Sequence, residues 1–233
     1  MKKTVSLLSV ALSLLSGCDD GKIYPKENED AAGKKITLTA RFKGLEAWPE
    51  AYRLVLAGFG DENGIPLISK MIPQPLSETQ EISVTLNGVS NAVEVVSVSV
   101  LTKGNAPICH LYRMELKDTG DEFTLPVNEI NVASYDRIQR QVFNLYCAGC
   151  HGAGNQAAAE LYLTEGKSYD ALINRSAATS TDGKLRVKPG STAESYLNDI
   201  LTSDIVNYNH TDVLPENELI TLIETWIKEG AAR

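Results

Sequence analysis

The pentapeptide Cys147-Ala148-Gly149-Cys150-His151 decides how the rest of the chain is read. Two thiols two residues apart can add to the two vinyl groups on one edge of a porphyrin. An imidazole directly after the second thiol then sits under the iron as an axial ligand. C-x-x-C-H is accordingly the attachment sequence of c-type haem. A thioredoxin-like C-x-x-C belongs to a βαβ unit, and none is legible here. A structural zinc site needs four ligands, whereas the residues after His151 hold no further cysteine and one histidine, His210.

Outward from the motif the hydrophobic period is that of helices. Tyr135, Ile138, Val142, Leu145 and Tyr146 share one broad face of a helix leading into Cys147. Ser168–Asn174 reads as a short helix. Ser191-Thr192-Ala193-Glu194 has the form of a capping box opening a helix to about Leu201. Residues 216–229 form the clearest amphipathic helix, with Leu219, Ile223, Trp226 and Ile227 on its apolar face and Gly230 as its stop.

These features together resemble the small all-α cytochrome c fold. The marks are C-x-x-C-H-G, then Leu161-Tyr162-Leu163, Val187-Lys188-Pro189-Gly190 and the terminal Trp226-Ile227-Lys228-Glu229-Gly230-Ala231. The resemblance covers about residues 134–233. It implies that a helix ending in the haem motif crosses the C-terminal helix, with Phe143, Tyr146 and Trp226 at the crossing.

The chain departs from that family at the second axial ligand, which is often a methionine before the terminal helix. The three methionines are Met1, Met71 and Met114, all upstream of the haem motif. The corresponding region instead contains His210, 59 residues after His151 (210 − 151). The expected ligand pair is therefore His151/His210, with Tyr208 and Lys188 as weaker candidates for the second position. Two imidazoles place a haem at lower potential than a thioether does. Asp212 is a candidate second-shell acceptor for His210, and Arg186 and Lys188 are candidate partners of haem propionates.

Upstream, residues 34–132 change to a period of two. Ile36, Leu38, Ala40 and Phe42 alternate with polar residues, as do Ile82, Val84 and Leu86. Val93–Leu101, 107–117 and 122–127 read as further strands, separated by turns at Asn87-Gly88, Lys103-Gly104-Asn105 and Thr119-Gly120-Asp121. The expected core is Phe42, Leu54, Leu56, Ile82, Val84, Leu86, Val98, Val100, Tyr112, Met114 and Leu125. His110 is expected on the face of Ile108, Tyr112 and Met114, as a hydrogen-bonded core or rim histidine. The resulting fold class is α+β with two domains. An antiparallel β-sandwich of the immunoglobulin or fibronectin sort (34–132) is followed by an all-α cytochrome c domain (133–233).

At the N-terminus, Met1-Lys2-Lys3 precedes an apolar run from Thr4 to Ser16, too short to span a bilayer. It reads as a secretory signal, residues 1–17. Leu15-Ser16-Gly17-Cys18 looks like a bacterial lipobox, which makes Cys18 the lipidated residue. Two acyl chains suffice for stable anchoring. Residues 18–33, charged and poor in apolar groups, read as a tether. With Cys147 and Cys150 on haem, Cys109 is left without an intramolecular partner, and no structural disulfide is expected.

The net charge of −8 argues against nucleic acid as a partner. The expected function is electron carriage in a bacterial cell envelope by one covalent haem c on a membrane-tethered lipoprotein, exchanging electrons with envelope redox proteins. The alternative is a haem-based sensor or small-molecule redox enzyme with an open or displaceable distal position.

Overall fold

The computed structural model describes residues 33–61, 63–117, 119–152 and 157–233. The signal segment and Cys18 lie outside the described residues. Strand β1 (Lys34–Lys43) places Ile36, Leu38, Ala40 and Phe42 inward, as its alternation requires. It pairs antiparallel with β4 (Glu81–Val89), so that Ile36 faces Leu86, Leu38 faces Val84 and Ala40 faces Ile82. On the other face of this pair the Thr37 and Thr85 hydroxyls meet at 3.0 Å.

The opposite edge of β1 pairs in parallel with two short strands, β7 (Glu122–Thr124) and β8 (Glu129–Asn131). The second sheet has the order β3 (Ile68–Met71), β2 (Arg53–Phe59), β5 (Val95–Leu101), β6 (Pro107–Glu115), all antiparallel. One apolar core joins the sheets, with Phe42, Leu56, Val98 and Val100 fully buried. Each such side chain contributes about 1.5–3 kcal/mol of transfer free energy.

A bulge in β6 corrects the placement of His110. Tyr112 and Met114 pair with the inward residues Val98 and Val96, but the irregularity between Val98 and Ser99 brings His110 opposite Ser99. One inserted residue moves a side chain to the other face. His110 Nδ1 lies 3.0 and 2.9 Å from the Ser97 and Ser99 hydroxyls. Its ring packs edge-on against Phe59.

After β8 the chain enters α1 (Tyr135–Ile138), capped by the Ser134 hydroxyl, which accepts from Arg137 N at 3.2 Å. Gln139–Cys147 continues as a π-helix. Three further helices follow: α2 (Ser168–Leu172), α3 (Tyr196–Thr202) and α4 (Asn217–Lys228). Leu219, Leu222, Ile223, Trp226 and Ile227 of α4 pack with Ile138, Val142 and Phe143 in a second core.

The expected fold class is overturned. The first sheet is mixed rather than antiparallel, and no all-α cytochrome c domain follows it. Strand exceeds helix in the molecule, and α1, α2 and α3 are four, five and seven residues long. Much of 157–195 is irregular chain, pinned by isolated bridges such as Ile173 with Val187 and Ser176 with Leu185. Gly183 and Gly190 adopt positive φ there, which ends regular structure. The Ser191 hydroxyl accepts from Glu194 N at 3.3 Å, as a capping box would have it, but no helix starts there: Ser191 N–H donates to Lys188 O, and α3 begins only at Tyr196.

Residues Ala32–Arg233 form one compact unit, and Arg137 explains how the sheets and helices are joined. Its fully buried guanidinium donates to Gln141 Oε1 (2.9 Å), to the carbonyls of Ala47 and Val132, and to Glu218 Oε1 (3.0 Å). Glu218 Oε2 in turn accepts from Ala51 N at 3.2 Å. A buried cation is tolerated only with such full pairing.

Candidate functional site

The π-helix delivers the motif. Ala148 N bonds Phe143 O at 2.8 Å, an i→i+5 link of the kind that often marks functional sites. The wider turn rotates Leu145 and Tyr146 out of the core, leaving them 66% and 38% exposed, against the single helical face expected. Tyr135 takes the central aromatic position instead, with its ring centroid 5.3 Å from Trp226 and 6.3 Å from Phe143.

Cys147 O accepts from the N–H groups of Cys150 (3.2 Å) and His151 (2.9 Å), so the motif is one tight turn. His151 O accepts from Leu163 N at 2.7 Å, tying the turn to the Leu161–Leu163 run. Leu163 O accepts from Gln139 Nε2 at 3.0 Å. Gln139 also accepts from the Ser168 hydroxyl, which accepts from Tyr135 OH at 2.5 Å. This buried polar chain supports the motif from below. Sequence reading missed it, because a glutamine and a serine in helices carry no local signal of burial.

His151 donates its Nδ1–H to Ala158 O at 3.0 Å. That bond fixes the tautomer and leaves Nε2 as a lone-pair donor, the arrangement usual for a metal-bound imidazole. Burial lowers the pKa of His151; its hydrogen bonds to the Ala158 and Leu161 backbone oppose this and the charges of His210 and Arg186 add to it, with a net shift toward the neutral form. Ala159 and Glu160 both adopt left-handed backbone, at φ 53° and 51°. Non-glycine residues there cost about 1–3 kcal/mol each and cluster at functional sites.

His210 stands across from His151, with ring centroids 6.3 Å apart and planes 32° apart. Tyr208 packs edge-on against His210 at 5.1 Å and is itself 65% exposed. His210 Nδ1 is buried and has no hydrogen-bond partner among the described residues, so the structure gives Asp212 no second-shell bond to it. Lys188 Nζ lies 3.9 Å from Glu194. Arg186 donates Nη1 to Ala171 O (2.9 Å) and Nη2 to Ala159 O (3.4 Å).

Cys147 is partly buried and Cys150 exposed, both free thiols. Burial, then the neighbouring Cys150, pushes the Cys147 thiol up to about 12. Among the described residues no three His, Cys, Asp or Glu side chains converge to chelate a bare ion.

A haem makes a different demand: one ligand on each side of a plane and two thiols at its edge. The donor set fits it. Two free thiols in one C-x-x-C-H turn and two imidazoles with ring centroids 6.3 Å apart are present. Large apolar side chains are exposed close in sequence to both histidines, Leu145 and Tyr146 before Cys147, Ile205 and Tyr208 before His210. Two surface clefts lie elsewhere, one lined by Gly60, Asp61, Glu94 and Arg113, the other by Thr179, Lys184, Tyr196 and Asp199.

No protein-family model matches the chain, and no curated protein matches it either.

Proposed function

We propose that this protein is a membrane-tethered electron carrier of a bacterial cell envelope. It holds one covalent haem c through Cys147 and Cys150, with His151 and His210 as axial iron ligands, and a lipid on Cys18 anchors it. The observation that carries this reading is the 6.3 Å separation of two imidazoles directly beside a C-x-x-C-H turn.

When bound, the haem supplies one-electron exchange between ferric and ferrous iron. The chain's own part is to hold and poise it. Cys147 and Cys150 would hold the porphyrin through thioether bonds. The bond from His151 Nδ1 to Ala158 O keeps Nε2 directed as a donor. His151 and His210 would hold the iron between them, which would suit electron transfer because no ligand exchange would be needed. They also set a lower potential than a thioether. Arg186, close enough to lower the His151 pKa, supports positive potential beside the site. The exposed Cys150 edge is where envelope redox proteins approach, and the sheets serve as spacer or docking module.

One observation favours a second reading, a haem sensor or small-molecule enzyme. His210 Nδ1 lacks a hydrogen-bond partner among the described residues, which makes it the more displaceable ligand. Absorbance spectra of protein matured in a host with c-type haem assembly separate the two. Low-spin spectra unchanged by carbon monoxide after reduction support electron carriage. A carbon monoxide shift supports the displaceable site, and a chain that never acquires covalent haem removes both.

A further inference from the structure

We infer, on the proposed His151/His210 ligation, that His210 holds the iron through Nδ1, whereas His151 holds it through Nε2.

A neutral imidazole carries one N–H and one lone pair, on different nitrogens. Iron takes the lone pair, so the other nitrogen keeps its proton and needs an acceptor. For His151 that acceptor is the Ala158 carbonyl, 3.0 Å from Nδ1. Nδ1 is therefore the N–H, and Nε2 is the nitrogen free to bind metal.

His210 is set the other way round. Its Nδ1 is buried and has no hydrogen-bond partner among the described residues. Its Nε2 bonds no described residue either, yet it is not shut off from solvent, and the residue as a whole is half-buried. The polar groups beside it in sequence are spent elsewhere. Asn209 Oδ1 accepts from Thr211 N and Oγ1 at 2.9 and 2.8 Å. The His210 carbonyl accepts from Val213 N at 3.2 Å, and Tyr208 meets the imidazole with its ring, centroids 5.1 Å apart.

Ligation through Nε2 would force the proton onto Nδ1, where a buried N–H faces no acceptor. Buried groups left in that state are rare and costly. Ligation through Nδ1 puts the proton on Nε2, where water accepts it. A buried Nδ1 lone pair lacks only a partner, and iron held from the other side by His151, 6.3 Å away between ring centroids, supplies it. On this assignment the buried Nδ1 is the donor atom itself, which removes the ground for a displaceable His210. The two axial imidazoles then differ in support: His151 donates its N–H to a carbonyl of the chain, and His210 donates to solvent.

The test is proton–carbon NMR of the full haem-loaded chain after reduction, with carbon-13 in the histidine rings and β-carbons. Reduced low-spin iron is diamagnetic, and the porphyrin ring current moves protons next to the iron-bound nitrogen far upfield. Nε2 is flanked by two C–H groups, Cδ2–H and Cε1–H. Nδ1 is flanked by Cε1–H and by Cγ, which bears the β-methylene. His151 is expected to show both ring protons upfield. His210, identified by the signals lost in His210→Met, is expected to show Cε1–H and its β-protons upfield, with Cδ2–H shifted far less. Two ring protons of His210 shifted equally far upfield overturn the Nδ1 assignment while the ligand pair stands. No upfield signal from His210, or a high-spin reduced iron, overturns the ligand pair and the assignment with it.

Discussion

The rings of His151 and His210 lie 6.3 Å apart, although the loop between them crosses α2 and α3. Nothing local brings them together. His151 is held by Ala158 O and Leu163 N, and His210 by its place just before α4. The approach of the two rings is therefore a product of the whole C-terminal half, and the first predictions address its two members.

Substituting His210→Met raises the reduction potential of the haem protein, because a thioether replaces an imidazole on the iron. His210→Ala opens a coordination position, so carbon monoxide binds the reduced form and shifts its absorbance. Spectra and potentials identical to wild type in both variants would exclude His210 as a ligand.

Disturbing the His151 support acts differently. Gln139→Leu removes the donor to Leu163 O and the acceptor of the Ser168 hydroxyl proton, although Ser168 Oγ still accepts from Tyr135 OH, at a cost of about 1–3 kcal/mol. Urea unfolding reads the loss. The haem spectrum of the folded variant stays low-spin, since neither ligand is removed.

The Arg137–Glu218 pair joins α4 to the sheets. Glu218→Ala leaves a guanidinium with no exposure uncompensated and destabilises the protein by about 3–5 kcal/mol. Arg137→Met loses the clasp but buries no lone charge in its place, so the double variant Arg137→Met, Glu218→Ala is more stable than Glu218→Ala alone. Equal midpoints for these two variants would refute the account.

Two groups tie stability to alkaline pH. Burial pushes the Cys109 thiol from 9.0 to about 12, and burial pushes the Tyr135 hydroxyl from 10.0 to about 12. Both are acids whose neutral form the fold favours. Their contribution is fully present below the unfolded values and is lost as pH rises from about 9 through about 12. The urea midpoint falls across that window, and the fall is smaller in Cys109→Ala. At pH 8 folded Cys109 resists iodoacetamide, whereas the unfolded chain is labelled.

In the sheet core, Leu56→Ala removes a fully buried side chain and costs about 2–5 kcal/mol. Met114→Ala, on a partly buried residue at the edge of the same core, costs less. Thermal midpoints compare the two.

Strands were readable wherever one face is buried and the other wet. Ile36–Phe42 and Ile82–Leu86 alternate in the sequence and point inward as that alternation requires. Of the expected core only Tyr112 and Met114 are less than fully buried, because β6 is an edge strand. The bulge that turns His110 outward was not readable, since one inserted residue leaves no mark in composition. The parallel pairing of β7 and β8 with β1 was equally silent, each being three residues long. The helical signals of the C-terminal half hold for the helix leading into Cys147, for Ser168–Leu172, for α4 and for the last part of the stretch to Leu201, but irregular chain occupies much of 157–195 where the resemblance implied an all-α domain.

The sequence by itself determined the chemistry: which thiols lie two apart, which imidazole follows them, and that His210 is the remaining histidine downstream. Those are covalent facts, set by order along the chain. Only the tertiary structure decided the spacing of His151 and His210, the burial of Arg137 and the end of the sheets from which the helices extend. Each depends on contacts between residues far apart in sequence, and such contacts follow from packing and loop closure rather than from local propensity.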